Sequence, residues 1–430
     1  MTDRLRALFI DGLSIARGKY LPASKIADAS TRFARGVFAT HYDRDLLIDA
    51  PGALVNAGIP DMELRWRAED IRASWEPDTK VVLGDLFDAD GAPLSLCPRG
   101  ALKRAIADWG RHGLKPKIGI ELEAYALQGD EAGRLRPYDA PGAVVYGTGP
   151  FADPIRFNDR IWAKADALGF SLDMVTAEYD SPQYEYTLTF DDALKAVDDI
   201  VLFRQMAREI ALDHGIILTF MPKPVPELGG SGMHINMSFT DAEGANALAD
   251  GPNGGPDHLN ALAKGCVAGL VHHHKALAGL LAPTATSYLR LQPGALSGYW
   301  KNWGGDHRGV TTRVSGEGGQ KARLEHRMAD ASASPHTAVA AVLQAARLGF
   351  ENGYALPPIE TGDGFDRTDA RDGVAANLRQ SIRDLEADNE LVAAVGADLV
   401  ANHAFMKQRE FRKTRDLEPN ALLDFYVWFL

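Results

Sequence analysis

The stretch GGSGMHINMSF, residues 229–239, decides how the chain is read. Met233, Ile235, Met237 and Phe239 alternate with His234, Asn236 and Ser238, and a period of two marks a β-strand with one buried face. An ordinary solvent face carries lysine, glutamate and threonine, whereas this one carries an imidazole, an amide and a hydroxyl. Three other stretches repeat the pattern. In KIGIELEAYAL (117–127) Ile118, Ile120, Leu122 and Ala124 share one face, leaving Glu121 and Glu123 on the other, roughly 7 Å apart. In QYEYTLTF (183–190), preceded by Glu178 and a turn-forming Asp180-Ser181-Pro182, the apolar set is Tyr184, Tyr186, Leu188 and Phe190, with Gln183, Glu185 and the threonines opposite. In ARLEHRMA (322–329) Arg323, Glu325 and Arg327 line one face.

Any one of these strands could be the solvated face of an antiparallel sheet. Together they offer Glu121, Glu123, Glu178, Glu185 and Glu325 with His234 and arginines, and almost no lysine. On one curved sheet such acids repel unless cations sit among them. Hard divalent ions take oxygen ligands with an occasional imidazole, so magnesium or manganese fits better than zinc. Acids, divalent ions and arginines are what phosphoryl transfer needs, because both kinds of positive charge stabilise anionic phosphate oxygens. The chain has neither a GxxxxGK[ST] loop nor a Rossmann glycine fingerprint, so a nucleotide must be held another way, for instance on metals in a sheet-lined channel.

The 430 residues suffice for two or three domains. A net charge of -12 disfavours nonspecific nucleic-acid binding, and no stretch approaches the ~20 uninterrupted apolar residues of a membrane span. Cys97 and Cys266 are too few for a disulfide framework or a cysteine zinc site, which indicates a reducing compartment. The first twenty residues mix acids and arginines with apolar residues and do not read as a signal peptide. A cytoplasmic protein is expected.

Residues 1–97 read as a small β-rich domain with strands in LRALFIDGLS (5–14), LRWRAEDIR (64–72) and VVLGDLF (81–87), then an Ala89-Asp90-Gly91 turn and PLSL (93–96). Helical periodicity starts at Pro98 and is closed by Gly113. Residues 98–430 mix strands with amphipathic helices, the clearest at 191–215. Glycine-proline loops are expected at 247–259 and 315–322 as mobile surface connections. The terminal FYVWFL is too apolar for water and should dock on its own subunit or a neighbour.

In their order along the chain, IELEAY, AEYDSPQYEY, GSGMHINMS, SYLRLQPG, WGGDHRGVTTRV, ARLEHRMADASASPH and an apolar tail resemble the glutamine synthetase superfamily over nearly the whole sequence. The resemblance implies an α+β fold: an N-terminal β-grasp domain, then a catalytic domain whose curved antiparallel sheet forms a funnel surrounded by helices. It also implies a homo-oligomer, commonly a dodecamer of two hexameric rings with active sites between subunits. ATP, glutamate and an amine are the implied substrates, with two or three Mg2+ or Mn2+ ions per site. By position, Glu123, Glu178 and Glu185 match the ligands of one metal, and Glu121, His234 and Glu325 those of the metal on the ATP phosphates. Arg290 and Arg327, with Gly230, His234 and Arg308, match the glutamate site. Arg308, Arg313 and Arg323, with Asn236 and Ser238, match the phosphate and nucleotide site. Asp61 matches an aspartate that reaches the next subunit's site and helps deprotonate the amine, and Asp61, Glu178 and Arg308 are the residues the resemblance implies to be catalytic. In the family's chemistry ATP converts the γ-carboxylate to an acyl phosphate, which a neutral nitrogen nucleophile then attacks.

Three positions depart from ammonia-using glutamine synthetases. Gly229 replaces an asparagine that contacts glutamate, Asn236 replaces a second histidine, and Leu296 in PGALSGYW replaces a glutamate that closes the site. Losing that carboxylate leaves an apolar wall suited to an alkylated nitrogen. The LSGxW pattern resembles the γ-glutamylmethylamide synthetases, so a glutamate-amine ligase preferring methylamine or a similar alkylamine is the leading reading, with an amine pocket of Asp61, Glu178, Leu296 and Trp300. Glutamine synthetase, a glutamate-polyamine ligase and an inactive relative stand as alternatives; all six metal-ligand positions are kept, against the last. His272, His273 and His274 are read as packing and capping residues, because consecutive residues of a helix point about 100° apart and do not converge on one ion. Trp303, Cys97 and Cys266 are read as core. Tyr354 and Tyr426 lie outside the context of the family's adenylylated loop, so that control is expected to be absent.

Overall fold

In a computed structural model, residues 3–365, 367–370 and 372–430 are described. The chain begins with strands β1 (Arg4–Ile10), β2 (Ala16–Pro22), β3 (Ser30–Ala34), β4 (Asp61–Arg65), β5 (Arg72–Ala73), β6 (Thr79–Leu83) and β7 (Asp85–Phe87). They form two sheets, in the orders β2-β1-β6-β5 and β3-β4-β7. Strands β2 and β3 carry too little alternating apolar character to stand out in the sequence. PLSL makes only a single bridge, Phe87 to Pro93.

The following strands are β8 (Lys115–Gly129), β9 (Leu135–Pro137), β10 (Leu172–Ala177), β11 (Gln183–Asp192), β12 (Ile217–Thr219), β13 (Met233–Thr240), β14 (Trp303–Gly304), β15 (Thr312–Val314) and β16 (Leu324–His326). All belong to one nine-stranded sheet ordered β10-β11-β8-β13-β16-β15-β14, with β9 and β12 paired to β8. The fold is α+β, and the four strands picked out by their polar faces lie side by side at its centre. Pairing is antiparallel except between β14 and β15, two residues joined in parallel. The apolar face is dry: Ile118, Leu122, Ala124, Met233, Ile235 and Phe239 are buried. Phe190 departs from the expected alternation. A bulge between Leu188 and Asp191 breaks the register of β11, and its ring is 61% exposed.

Helices α1 (Pro98–Gly110), α2 (Phe157–Ala167), α3 (Ala193–Asp213), α4 (Ala261–His272), α5 (His274–Leu281), α6 (Ser287–Arg290), α7 (Pro335–Asn352), α8 (Leu378–Ala387), α9 (Asn389–Val395), α10 (Ala397–Thr414) and α11 (Pro419–Tyr426) complete the chain. The long apolar α7 and the inner sides of α1 and α3 share one hydrophobic core with the sheet. Pro98 opens α1 and Gly113, at φ 72°, closes the turn after it. The two glycine-rich loops are tied to each other, Gly255 N to Ser315 O at 3.0 Å and Gly319 N to Gly251 O at 3.0 Å. Among the described residues no helix is long and apolar enough to cross a membrane.

The apolar tail docks on its own subunit. Tyr426 is buried, donates to Glu410 Oε1 at 2.6 Å and accepts from Ala285 N at 3.2 Å. Glu410 also takes Lys407 Nζ at 2.7 Å and faces His41. Burial raises its pKa, but Lys407 and the contact with His41 outweigh it and hold the carboxyl at about 2. Tyr426→Phe would strand a buried N–H and weaken this network, so it should lower stability to urea by about 1–3 kcal/mol. An unchanged urea midpoint would show that the hydroxyl contributes nothing.

Candidate active site

Strand register gathers the polar groups. Glu185 on β11 lies opposite Glu123 on β8, His234 on β13 opposite Glu121, and Asn236 opposite Glu325 on β16, which in turn faces Arg313 on β15. Paired residues project to the same side of a sheet, so all of them share the face away from the core.

His234 is the hub. Its Nδ1 is 2.9 Å from Glu121 Oε2 and 3.6 Å from Glu325 Oε1, and its Nε2 is 3.9 Å from Glu123 Oε1. Two sets of donor atoms converge within 4.8 Å, Glu121–His234–Glu325 and Glu123–Glu185–His234. Asn236 Nδ2 donates to Glu121 Oε1 at 3.0 Å, and Gly232 N and Gln183 Nε2 donate to Glu123 Oε2 at 2.7 and 3.1 Å. Glu325 takes Arg313 at 2.8 Å on one oxygen and Arg327 on the other.

Charge is therefore unevenly balanced. Burial would raise Glu121, yet His234 and Asn236 outweigh it and hold the carboxyl at about 2. Burial and then Glu121 push Glu185 up to about 7. Burial and then Glu123 also raise Glu178, just beyond β10. Glu121 and Glu325 are offset by cationic or amide partners, while Glu123, Glu178 and Glu185 form a partly buried group of carboxylates with no arginine or lysine bonded to them among the described residues. Oxygen-rich, partly dry and shared with one imidazole, this donor set fits a hard divalent cation.

Beside the cluster opens a cleft of about 300 Å³ lined by Lys117, Phe190, Asn236, Ser238, Lys321 and Arg323, among others. At the opposite end Gly229 and Gly230 are closely covered by neighbouring groups. A Cβ on Gly230 would stand 2.6 Å from Arg290 Cγ. A Cβ on Gly229 would stand 2.7 Å from Asp180 Oδ2, whose carboxylate accepts the Gly229 N–H.

The profile of the glutamine synthetase catalytic domain matches residues 95–424. The chain belongs to the glutamine synthetase family. A glutamine synthetase from Pyrococcus abyssi is 28% identical over 95% of this chain and 90% of its own length. A glutamate–isopropylamine ligase from a Pseudomonas species is 30% identical over 82% of this chain and 78% of its own. A solved structure, "Apo GmaS without ligand", superposes with a TM-score of 0.83 at 27% identity, covering 97% of this chain and 94% of that one. The protein is an ATP-dependent carbon–nitrogen ligase of this family.

Against the residues expected from the family resemblance, the geometry differs in places. Glu121, Glu123, Glu185, His234 and Glu325 converge, but His234 rather than Glu178 completes the set around Glu123 and Glu185. Arg290 is buried and donates to the carbonyls of Met328 and Arg327 at 2.8 and 3.2 Å. Arg327 is buried with its Nε unpartnered among the described residues. Arg308 is exposed and near enough to lower Glu178 slightly, and Arg313 is shared between Glu325 and Asp306. Ser238 and Arg323 face the cleft, with Asn236 reaching both the cleft and Glu121. Leu296 is partly exposed in the loop after α6, where the Trp300 indole donates to Pro293 O at 3.2 Å. Asp61 opens β4, exposed, in a sheet separate from the carboxylates.

Three residues were missed from sequence. Gln183 ties Glu123 to Gly230 O and Ser231, and its place opposite the apolar set of β11 was the available signal. Asp180 fills the space beside Gly229, and Phe190 lines the cleft only because of the bulge; neither leaves a periodic trace.

The raised Glu185 pKa has a sign that can be checked. The folded chain holds this proton more tightly than the unfolded chain, whose carboxyl titrates near 4.5, so the stability it contributes is full below that pH and is lost as pH rises through about 7. In EDTA, Glu185→Gln should melt close to wild type at pH 5 and more stably at pH 8, by up to about 3 kcal/mol. Identical differences at the two pH values would separate Glu185 from the repelling cluster.

Proposed function

We propose that this ligase joins the γ-carboxylate of L-glutamate to a small alkylamine such as methylamine, through γ-glutamyl phosphate, with release of ADP and phosphate. The observation that carries the reading is Leu296, an apolar residue where ammonia users keep a glutamate that closes the site. The relatives that support it are the isopropylamine ligase and GmaS.

Glu121, His234 and Glu325 would hold one divalent ion and Glu123, Glu178 and Glu185 another, with His234 shared toward the second set. Such ions, when bound, supply positive charge that draws electron density from phosphate oxygens. The chain's own residues position the reactants. Arg290, Arg327, Gly230 and His234 would orient glutamate; the unpartnered Nε of Arg327 is a donor free to take an anionic oxygen. Arg308, Arg313 and Arg323 would face the phosphates. Asn236 and Ser238 would face the nucleotide, whose base can lie against the exposed Phe190 ring in the adjoining cleft. An alkylammonium must lose a proton before it attacks. Glu178, raised by burial and by Glu123, would accept it with Asp61 of a neighbouring copy. Leu296 and Trp300 would wall the alkyl group.

Family members bind small substrates and typically oligomerise. A dodecamer of two hexameric rings would bring the exposed Asp61 of one copy to the carboxylates of the next, which it does not reach within its own chain. Glutamine synthesis from ammonia is the second reading, favoured by the many relatives that carry that name.

With ATP, magnesium or manganese and glutamate, phosphate release should be faster with methylamine or ethylamine than with ammonia. Ammonia outpacing every amine would return the protein to glutamine synthesis, and no turnover with any nitrogen donor would mark an inactive relative. Glu325→Ala should lower turnover by more than about 100-fold through weakened metal binding; near-normal kcat would remove Glu325 from the site.

A further inference from the structure

Helix α4 ends at His272 and α5 starts at His274, so His273 occupies a break and the three histidines do not lie on one continuous helix. The rings of His272 and His273 approach to 4.8 Å between centroids, while His274 Nε2 is bonded to Tyr299 O at 3.0 Å. One donor atom from each of His272, His273 and Glu390, in the first turn of α9, lies within 4.8 Å of the others.

Two features show a built cluster. His273 is 1% exposed, and its Nδ1 is 2.6 Å from Asp388 Oδ2. An ionised carboxylate only accepts, so Nδ1 carries the hydrogen, and in the neutral ring Nε2 presents a lone pair. That buried Nε2 has no hydrogen-bond partner among the described residues, although a polar atom left so costs about 1–3 kcal/mol. A carboxylate fixing one ring nitrogen while the other is free is how proteins orient imidazole toward a metal. Tyr354 aligns the remaining groups: its ring stacks on His272 at 4.1 Å, and its hydroxyl donates to Glu390 while accepting from Asn352 Nδ2 at 2.9 Å. Lys301 stands close enough to oppose a cation, against the two carboxylates of Asp388 and Glu390.

We infer that His272, His273 and Glu390 form a site for a borderline divalent transition ion such as zinc, separate from the carboxylate cluster on the sheet. Two imidazoles and one carboxylate suit zinc, whereas magnesium selects oxygen. Zinc–nitrogen bonds of about 2.0–2.1 Å put tetrahedral ligands roughly 3.3 Å apart. The exposed side chains of His272 and Glu390 can close the difference by rotation. An ion there would link the end of α4 to the start of α9 and leave a position for water.

The test uses full-length protein stripped by chelator, then dialysed against low-micromolar zinc in excess magnesium, with zinc counted by plasma mass spectrometry. Wild type should hold about one zinc per chain more than His272→Ala or Glu390→Gln, both changes at exposed positions. The same increment should separate His272→Ala from its parent in a His234→Ala background, which removes the ligand common to both donor sets of the sheet. Asp388→Asn can still cap Leu391 and should weaken zinc binding at least about tenfold. Cobalt in place of zinc should give visible tetrahedral bands that His272→Ala abolishes. Equal zinc in wild type and both single variants, or a cobalt spectrum indifferent to His272→Ala, would overturn the assignment.

Discussion

Glu121, Glu123, Glu185 and Glu325 share one face of adjacent strands, and carboxylates held so close in a partly dry space repel unless a proton, a donor or a cation stands among them. The rest of the site answers that constraint. His234 and Asn236 quiet Glu121, Arg313 and Arg327 quiet Glu325, and Glu185, with the Thr187 hydroxyl as its donor, is driven toward its protonated form by burial and by Glu121. The site is therefore asymmetric: the protein supplies counter-charges to Glu121 and Glu325, while the Glu123–Glu185 side has none but His234 among the described residues and forms a donor set that could hold a cation.

The fold can sustain this because the opposite face of the sheet is apolar and shares one hydrophobic core with α1, α3 and α7. Burying those side chains fixes the register of each strand, and a slip of one residue would turn every carboxylate into the core. The stability of the apolar layer thus enforces the crowding of the charged one. Donors from outside the sheet complete the arrangement: Gly232 N on Glu123, and Arg290 pressed against Gly230, where a Cβ would collide with it.

The fourfold recurrence of period-two alternation with unusual polar residues made the central strands legible from sequence, together with the shared polar face on which Glu121, Glu123, Glu185, His234 and Glu325 converge. Ordered motifs then named the family. Glu178 did not join the convergent donor sets because it lies past the end of a strand, where periodicity carries no information. Phe190 escaped for a related reason: the bulge in β11 breaks the alternation that assigned it to the core. At His273 a helix break changes how neighbouring rings can meet, and no apolar period reports such a break.

Alternation along the chain, the charge types on each face and the order of motifs were set by the sequence alone, since they follow from backbone geometry and local chemistry. Which strands adjoin, which oxygen meets which nitrogen, and which carboxylates are left without a counter-charge were decided by tertiary structure. Several of those relations join residues a hundred or more positions apart, such as Glu121 with His234. Their energies depend on distance and burial, quantities that exist only once the sheet has closed over its core.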